Sequence, residues 1–366
     1  MVSKARQLAQ SASAPEGRKN ILINGAKQIF QRSTSASAVT TDIYAAPDRW
    51  KTRVTDTSEF TISQSSTTPN GFANSTKWDC TTANGSLGAA ASIIYEQRIE
   101  GQDLQHLKYG ASSAKTTTLS FYVRSNKTGV YTVGLYSPDG SRHIESSYTI
   151  NSADTFEKKT ITFAGDTGGT LNDDSGEGMR VWFWLGGGTN FSSGTHATSW
   201  AAYDATNVLA DNQVNLADST SNEWYITGVQ LEVGSVATEF EHRSFGEELA
   251  LCKRYFEKFT YTASGAISIA TNTGVGSAFC DLYFSEKRAA PTVTSSSAGN
   301  ASDEITFLSN TGNFPSTIGT VTYSTINTTN CRAVGGSYSS TGWQSGYACY
   351  FHANGTGVFI QYDAEL

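Results

Sequence analysis

The sequence predicts an all-β protein: an antiparallel two-sheet sandwich of jelly-roll type, then a short connecting helix and a smaller C-terminal β domain. Short runs of alternating apolar and polar residues recur from Arg53 to Val233, separated by Gly, Asn, Asp or Pro. Glycine accounts for 34 of 366 residues and charged residues for only 16%, a composition that suits many short strands joined by polar turns. No helical pattern lies between these runs, which excludes a parallel sheet because its crossover connections need helices.

The charge and the hydropathy pattern restrict the classes of partner. The formal net charge is −7, from 26 basic and 33 acidic residues, without any block of basic residues, so nucleic acid is not an expected partner. No run of 18 apolar residues is present, and the N-terminus lacks the apolar core of a secretory signal. We therefore expect a soluble protein, without membrane insertion, that is made in a reducing cytoplasm.

The five cysteines are odd in number and form no close CxxC pair of the kind that holds zinc. We expect most of them to be small, buried apolar side chains. The spacing of 18 positions between Cys331 and Cys349 would allow a disulfide if their strands were neighbours, and the sequence leaves this open.

The chain begins with a polar segment, residues 1–19, whose weak helical pattern ends before Pro15 and Gly17. This segment is either a frayed tail or a docking peptide that orders against a larger assembly. Residues 20–32 are predicted as an apolar strand, and the sandwich domain is predicted to span residues 20–243.

The last strand of the sandwich is predicted at residues 224–233. Simple alternation places Trp224 and Ile226 on one face of this strand and Val229 on the other.

A helix is predicted from Ser244 to Phe259, because Ser244 stands three residues before Glu247 at the spacing of a capping box. Apolar side chains that repeat every 3.5 residues form one face of it: Phe245, Leu249, Cys252, Phe256 and Phe259. This face packs either on its own domain or against identical chains, as a trimer seam. Two heptads are too short to hold an oligomer alone, so the flanking domains would supply most of the contact area.

Residues 260–366 are predicted to form a smaller β domain rich in Ser, Thr, Gly and Tyr. Its expected strands are residues 266–270, 278–284, 291–294, 305–308, 321–326, 347–351 and 358–362. A domain of about 107 residues buries only a modest core, which favours association between copies.

No catalytic motif is recognisable, and we expect a protein without enzymatic activity. The five histidines lie in no known pattern, GxSxG is absent, and no pair stands out among the 33 carboxylates.

One turn could bind a metal ion. Asn172, Asp174 and Glu177 lie in an oxygen-rich turn and could hold calcium, although the twelve-residue loop with its terminal Glu is missing. The alternative is a solvated turn, and no other cofactor is expected.

Aromatic residues are the most informative candidates for a binding site. On the strand at residues 179–185, Trp182 and Trp184 point to one face while Phe183 points to the other. Sugar rings present flat C–H faces that stack on aromatic rings. The candidate glycan-binding residues are Trp182, Trp184, Trp200 and Tyr203 in the sandwich and Trp343, Tyr347 and Tyr350 in the last domain. The alternative for each of them is a place in the core or in a subunit interface.

The segment from Gly228 to Phe256, GVQLEVGSVATEFEHRSFGEELALCKRYF, resembles a junction that recurs in tail-fibre proteins of bacterial and cyanobacterial viruses. Other segments look like that family in the same order: SKARQLA, NILINGAKQIFQR, DRW, YEQRIEG, TLSFYVRS, FEKKTITFAGDTGGT, KRAAPTVT and the terminal DAEL. The resemblance covers nearly the whole chain. It implies a sandwich like that of a carbohydrate-binding module, followed by a variable tip, in a homotrimer that attaches to a virion and touches the host surface. It carries over no binding residue, because these motifs are scaffold segments.

We therefore expect a virion tail fibre or receptor-binding protein. It would be a homotrimeric adhesin that is synthesised in the host cytoplasm, docks to a tail, baseplate or adaptor protein through residues 1–19 and binds a host surface polysaccharide. One alternative is a virion structural protein, such as a fibre segment or a head decoration, that binds no receptor. A second alternative is a polysaccharide depolymerase, although the parallel β-helix usual in such enzymes is not indicated, because no repeat of constant short period is present.

Overall fold

The computed structural model describes residues 18–274, 277–296, 305–309, 320–336, 348–353, 355 and 357–366. The chain divides into two compact units: the first runs to Leu249 and includes Leu366, and the second is Ala250–Glu365. Both consist mainly of antiparallel strands, which confirms the predicted all-β fold. Among the described residues, no helix is both long and apolar enough to cross a membrane.

The strands of the first unit are short and joined by turns. In the described part of the chain they are β1 Ser35–Val39, β2 Ile43–Tyr44, β3 Lys51–Val54, β4 Glu59–Ser65, β5 Ser75–Thr82, β6 Ser92–Glu100, β7 Thr117–Ser125, β8 Gly129–Ser137, β9 Arg142–Ile150, β10 Glu157–Phe163, β11 Glu177–Gly187, β12 Ala201–Ala202 and β13 Glu223–Val233. Short 3₁₀ helices occur at Gly101–Leu107, Thr189–Phe191, Ala205–Asn207 and Leu216–Asp218.

These strands form two sheets that face each other. Sheet I has the order β1-β4-β5-β13-β7-β10, and sheet II has the order β12-β9-β8-β11-β6-β3-β2. The chain crosses repeatedly from one sheet to the other, for instance from β6 in sheet II to β7 in sheet I and back to β8. This path is that of a jelly-roll sandwich, as predicted.

Aromatic side chains fill the space between the two sheets. Trp50 stacks on Tyr95 with ring centroids 4.9 Å apart, and Trp224 meets the edge of Tyr95 at 6.0 Å. The hydroxyl of Tyr95 is not orphaned, because it shares a hydrogen bond of 3.0 Å with the hydroxyl of Thr76. The core therefore combines large apolar area with a buried tyrosine hydroxyl that has a hydrogen-bond partner.

Residues 20–32 do not form the predicted strand. Polar side chains take over the role of a strand ladder there: the side chain of Asn20 accepts from Leu22 N (3.0 Å) and Leu231 N (3.1 Å). The side-chain amide of Gln97 bonds both the N–H and the carbonyl of Ile23, each at 2.7 Å. These hydrogen bonds satisfy the buried polar groups of an irregular backbone. The apolar pattern of the sequence alone predicts a strand for the same segment.

The predicted faces of β13 are wrong because the strand contains a bulge. Trp224, Ile226 and Val229 all face the core between the sheets. Gly228 has a φ of +61°, and the pairing register of β13 with β7 shifts between Thr227 and Gln230. One extra residue in the strand reverses the alternation after it.

Lys27 is buried in the first unit among aromatic rings. Its Nζ lies 3.0 Å from the ring centroid of Trp50 and 5.0 Å from that of Tyr95. Burial lowers the pKa of Lys27 well below its ordinary value, although the nearby Glu248 carboxylate partly raises it. Desolvation of Lys27 therefore outweighs the attraction of the Glu248 carboxylate.

We expect the substitution Lys27→Met to raise the free energy of unfolding at pH 7. Because the folded state holds the proton less tightly than the unfolded state, stability is lost below the ordinary lysine pKa, by about 1.4 kcal/mol for each unit of depression. Denaturant titrations of both proteins should show the advantage of Lys27→Met shrinking as the pH rises from 7 towards 10. A wild-type protein that is the more stable of the two at pH 7 would contradict this.

The helix α1 spans Phe245–Lys253, shorter than the predicted range of residues 244–259. Its start is as predicted: Ser244 N donates to Glu247 Oε2 (2.9 Å), and Glu247 N donates to Ser244 Oγ (3.3 Å), which completes the capping box. The chain then leaves the helix and enters a strand at Phe256, because FEKFTY is rich in strand-forming residues and pairs along its whole length with the strand at residues 358–363.

The second unit is built from short strands. In the described part of the chain they are β14 Phe256–Tyr261, β15 Gly265–Gly274, β16 Ser277–Tyr283, β17 Thr292–Ser295, β18 Ile305–Ser309, β19 Thr320–Ser324, β20 Asn330–Gly336, β21 Ala348–Ala353 and β22 Val358–Asp363. Sheet III has the order β14-β22-β17, and sheet IV has the order β18-β21-β15-β16-β20-β19. The strand β20 was not expected from the sequence.

A disulfide between Cys331 and Cys349 is ruled out by the strand order. Cys331 lies on β20 and Cys349 on β21, and β15 and β16 stand between these two strands in sheet IV. Strands are about 4.8 Å apart, so the two thiols are far beyond bonding distance. All five cysteines are buried and none forms a disulfide, and the sequence predicts burial for most of them.

The predicted trimer seam does not survive as one helical face. Phe245 and Leu249 lie on α1, but Phe256 and Phe259 lie on β14. Cys252 and Phe256 are fully buried within their own chain. They cannot meet another copy unless the second unit opens.

We expect Phe256→Asp to destabilise the second unit instead of merely separating copies. Removing a buried phenylalanine costs about 3 to 5 kcal/mol, and an unpaired buried carboxylate adds to that loss. Limited proteolysis should cut the variant within residues 250–365, whereas Phe259→Asp, at the more exposed ring, should resist. A Phe256→Asp protein that keeps native stability but no longer associates with other copies would support the trimer seam predicted from the sequence.

Candidate functional site on the outer face of sheet II

The strand β11 has apolar side chains on both of its faces, as predicted. Val181, Phe183 and Leu185 face the core between the sheets. Trp182 and Trp184 lie on the opposite, outer face of sheet II, in a separate cluster. Both sides of this sheet therefore need a cover.

The two tryptophans are buried and do not form an exposed stacking surface. The segment that follows β12 brings Val208 and Leu209 over them. Trp182 stacks instead on Tyr136, with centroids 5.4 Å apart and planes 24° apart, and Tyr203 meets the edge of Tyr136 at 4.9 Å. Three rings remain half-buried beside this cluster: Tyr136 and Tyr203 near Trp182, and Phe191 against Trp184.

The other predicted glycan-binding residues are placed elsewhere. Trp200 donates from Nε1 to the carbonyl of Ala164 (2.7 Å) and packs against Tyr109, away from the Trp182 cluster. Tyr350 lies on β21 in the second unit. Trp343 and Tyr347 are outside the described residues.

Register explains why these side chains meet. On the outer face of sheet II, Glu145 of β9 lies opposite Gly134 of β8, which lies opposite Trp182 of β11. A Cβ on Gly134 would stand 1.8 Å from Glu145 Oε2. The absence of a side chain at this position allows the Glu145 carboxyl group to reach across β8.

Glu145 joins two other buried side chains in a hydrogen-bonded chain. Trp182 Nε1 donates to Glu145 Oε2 at 3.1 Å, and Glu145 Oε1 lies 3.1 Å from His143 Nδ1. Burial raises the pKa of Glu145 well above its usual value, while the hydrogen bond from Trp182 partly lowers it. Burial also lowers the pKa of His143, which Asp204 partly raises and His196 further lowers. Burial therefore favours the neutral form of each group, a carboxylic acid beside a neutral imidazole.

A charged network borders the aromatic rings on the same face. Glu96 of β6 is buried and is approached by Arg98 at 2.8 Å, Arg53 at 3.6 Å and Arg180 at 3.7 Å. Burial alone would raise the pKa of Glu96, but the three guanidinium groups outweigh it and the pKa lies below its usual value. The Arg180 guanidinium also stands 4.9 Å from the ring centroid of Tyr136.

This arrangement offers two kinds of contact to a ligand. Tyr136 and Tyr203 supply aromatic surface for the C–H faces of a sugar, and Arg53 and Arg180 supply planar groups of N–H donors for hydroxyl or carboxylate oxygens. Tyr136, Arg180 and Glu145 were not among the residues predicted from the sequence. Alternation on β8, β11 and β9 places them outward, but only the strand register shows that they lie together.

The predicted calcium ligands are each engaged by other partners. Asn172 Nδ2 donates to Asp139 (2.9 Å), Asp174 accepts from Gly176 N (2.8 Å), and Glu177 pairs with Arg180 (2.6 Å). Within the described residues, no group of three His, Cys, Asp or Glu side chains is arranged to hold a metal ion. Calcium at this turn stays a prediction.

Comparisons with known proteins show similarity only to solved structures. No protein-family model matches the sequence, and no curated protein matches it. The enzymatically active domain of tailspike protein 4 from bacteriophage CBA120 is similar over 59% of this chain and 21% of its own, with 13% identity and a TM-score of 0.31. The match thus spans about a fifth of the length of that domain.

Carbohydrate-binding modules are also similar to this chain. The family 11 module from Clostridium thermocellum, in complex with a β-1,3-1,4-mixed-linked tetrasaccharide, is similar over 57% of this chain and 99% of its own, with 12% identity and a TM-score of 0.29. A family 22 xylan-binding domain from Paenibacillus barcinonensis is similar over 51% of this chain and 92% of its own, with 14% identity and a TM-score of 0.27. All three TM-scores are below 0.5, so neither ligand nor activity is transferred from these proteins.

The buried carboxylic acid predicts a pH dependence that Glu145→Gln should remove. Because the folded state keeps a proton that the unfolded state loses above its ordinary glutamate pKa, wild-type stability falls as the pH rises, by about 1.4 kcal/mol per pH unit. An amide keeps the acceptor for Trp182 without titrating. His143 acts in the opposite direction below pH 6.5 and contacts Glu145, so the interval from pH 6.5 to pH 8 reports on the carboxyl group.

Thermal melts of both proteins between pH 5 and pH 8 measure this difference. The stability of Glu145→Gln relative to wild type should increase with pH over this range. Parallel melting curves at all pH values would show that Glu145 is ionised in the folded protein.

Proposed function

We propose that this chain is a non-enzymatic adhesin of a phage virion, a tail fibre or receptor-binding protein that attaches the virion to a glycan on the host surface. The observation that carries the proposal is the outer face of sheet II, where Tyr136 and Tyr203 stand half-buried beside the Arg180 guanidinium. Aromatic rings next to planar donors are the groups that recognise a sugar ring and its hydroxyls.

The support under these rings fits a binding function. Tyr136 is stacked on Trp182, and Trp182 is fixed by its hydrogen bond to Glu145. Side chains that are held before the ligand arrives lose little conformational freedom on binding. A shallow site with few contacts can therefore still bind measurably.

The remaining parts of the proposal rest on the resemblance of the sequence to viral tail-fibre proteins. We propose a homotrimer that is synthesised in the host cytoplasm, becomes part of the virion tail, and docks to a tail, baseplate or adaptor protein through residues 1–19. Residues 1–17 are outside the described part of the chain. Three linked sites would raise the overall affinity by about a hundredfold or more over a single site, so weak single sites suffice.

Glycan binding is tested with the variant Tyr203→Ala and the matched control Tyr122→Ala, a half-buried tyrosine on the outer face of sheet I. We expect Tyr203→Ala to weaken binding to the recognised glycan about tenfold, because a stacking contact and its buried area are lost. Tyr122→Ala should bind like wild type. Glycan arrays identify the ligand, and calorimetry of the three proteins gives the affinities.

Two results would favour the other classes of protein. A purified wild-type protein that binds neither glycans nor candidate host cells would indicate a virion structural protein, either a fibre segment or a head decoration. Release of reducing ends from host polysaccharide would indicate a depolymerase. The proposed docking segment is tested separately, by comparing how the full-length protein and a protein without residues 1–15 adsorb to virions.

A further inference from the structure

Sheet IV of the second unit places small side chains on its inner face. The inward residues of its four central strands are mostly alanines and cysteines: Ala270, Ala278, Cys280, Cys331, Ala333 and Cys349, joined by larger side chains such as Phe351. These residues pack in the core that sheet IV shares with residues of sheet III, such as Ile360. The core therefore contains only some of the apolar side chains of sheet IV.

Large apolar side chains lie on the opposite, outer face of the same sheet. Ile269 of β15 is 74% exposed and Tyr283 of β16 is 73% exposed. Phe279, Val334 and Tyr350 are half-buried neighbours whose strand positions alternate with inward residues. Exposed apolar side chains in one group, instead of singly, mark an interaction surface.

Ile269 lies near the centre of this face and not at its edge. The strand β15 is third in the six-strand order, with Tyr350 of β21 directly opposite Ile269 on one side. On the other side, β16 and β20 carry Asp281 opposite Arg332, joined by a salt bridge of 2.9 Å. The face thus has an apolar centre beside one paired acid and base, the pattern of a protein interface.

We infer that the outer face of sheet IV packs against the same face of two other copies of this chain, around a threefold axis, so that Asp281 of one copy lies near Arg332 of the next. An acid and a base side by side sum to zero charge and are complementary to a copy of themselves, since each can pair across the contact. A sugar fits less well, because the centre is an isoleucine without a ring face, and the Arg332 guanidinium stands 4.3 Å from the ring centroid of Phe279 and covers it.

This inference rests on the self-association in the proposed function and names the surface that produces it. It replaces the helical face predicted from the sequence, where Cys252 and Phe256 are buried. Burial of Ile269 and Tyr283 between copies would remove from water the largest apolar exposures of the second unit among its described residues.

The experiment compares the full-length protein with Ile269→Asp and with Val236→Asp. Val236, in the first unit, is 63% exposed, so it is a control of similar exposure in which a β-branched apolar side chain is likewise replaced by aspartate. We expect Ile269→Asp to raise the dissociation constant of the oligomer about thirtyfold or more in sedimentation equilibrium, and Val236→Asp to associate like wild type. Circular dichroism melts check that both variants fold, and Tyr283→Ser gives an independent second variant.

A covalent test adds geometric detail. Ile269→Cys should form disulfide-linked copies under mild oxidation, while the five native cysteines are buried and should not. A wild-type protein that is monomeric at every concentration, or a folded Ile269→Asp that associates like wild type, would overturn the inference. Loss of glycan binding by a folded Ile269→Asp that still associates like wild type would make the face a ligand site and also overturn the inference.

The result is separable from that of the proposed function. If the inference holds, Ile269→Asp keeps the single-site affinity for the glycan in calorimetry but adsorbs to cells about a hundredfold more weakly, because the linked sites are lost. If glycan binding is absent in all proteins while Ile269→Asp still dissociates the oligomer, the inference stands and the adhesin proposal fails.

Discussion

A β-strand sends alternate side chains to opposite faces, so a sheet whose strands are apolar on both faces must be covered twice. Sheet II shows this constraint: sheet I covers its inner face, and the segment carrying Val208 and Leu209 covers Trp182 and Trp184 on the outside. The cover is incomplete, and its border is where Tyr136 and Tyr203 stand half-exposed. Sheet IV meets the same constraint with small residues inside and Ile269 outside. The candidate binding face and the candidate contact between copies thus have one physical origin.

Polar side chains, more than backbone ladders, hold the irregular parts of the sandwich. Residues 20–25 run beside β13 where the bulge at Gly228 interrupts its pairing, and Val229 N donates to Gly25 O. A Cβ at Gly25 would stand 2.1 Å from Val229 O, so only glycine allows this approach. Glu248 of α1 accepts a hydrogen bond from Asn24 N and pairs with Arg243 at 3.3 Å. The Glu248 carboxylate therefore connects the first turn of α1 to residues 20–25. Lys27 is buried nearby and stays desolvated.

The features that were predictable from the sequence are local ones. The capping box of Ser244 and Glu247 depends on three residues of spacing, and the two-faced β11 depends on alternation, so both could be read directly. The end of α1 could not, because FEKFTY fits a helical face as well as a strand and only β22 decides between them. The strand β20, NCRAVGG, has weak strand propensity and is ordered by β16 and β19 on its two sides. The candidate site joins Tyr136, Glu145 and Arg180 from three strands, and their register is a tertiary property.

The same reasoning explains why the conspicuous tryptophans are not the contact surface. Trp182 and Trp184 are buried, while Tyr136 and Tyr203, which pack against Trp182, stay half-exposed. Burying Trp182 requires a partner for its indole N–H, and Glu145 provides it only because Gly134 leaves the path open. A neutral carboxyl group is the form that this site tolerates at low cost, since an ionised one would have to be paired. The half-exposed rings are thus held in place by the buried hydrogen bond between Trp182 and Glu145 beneath them.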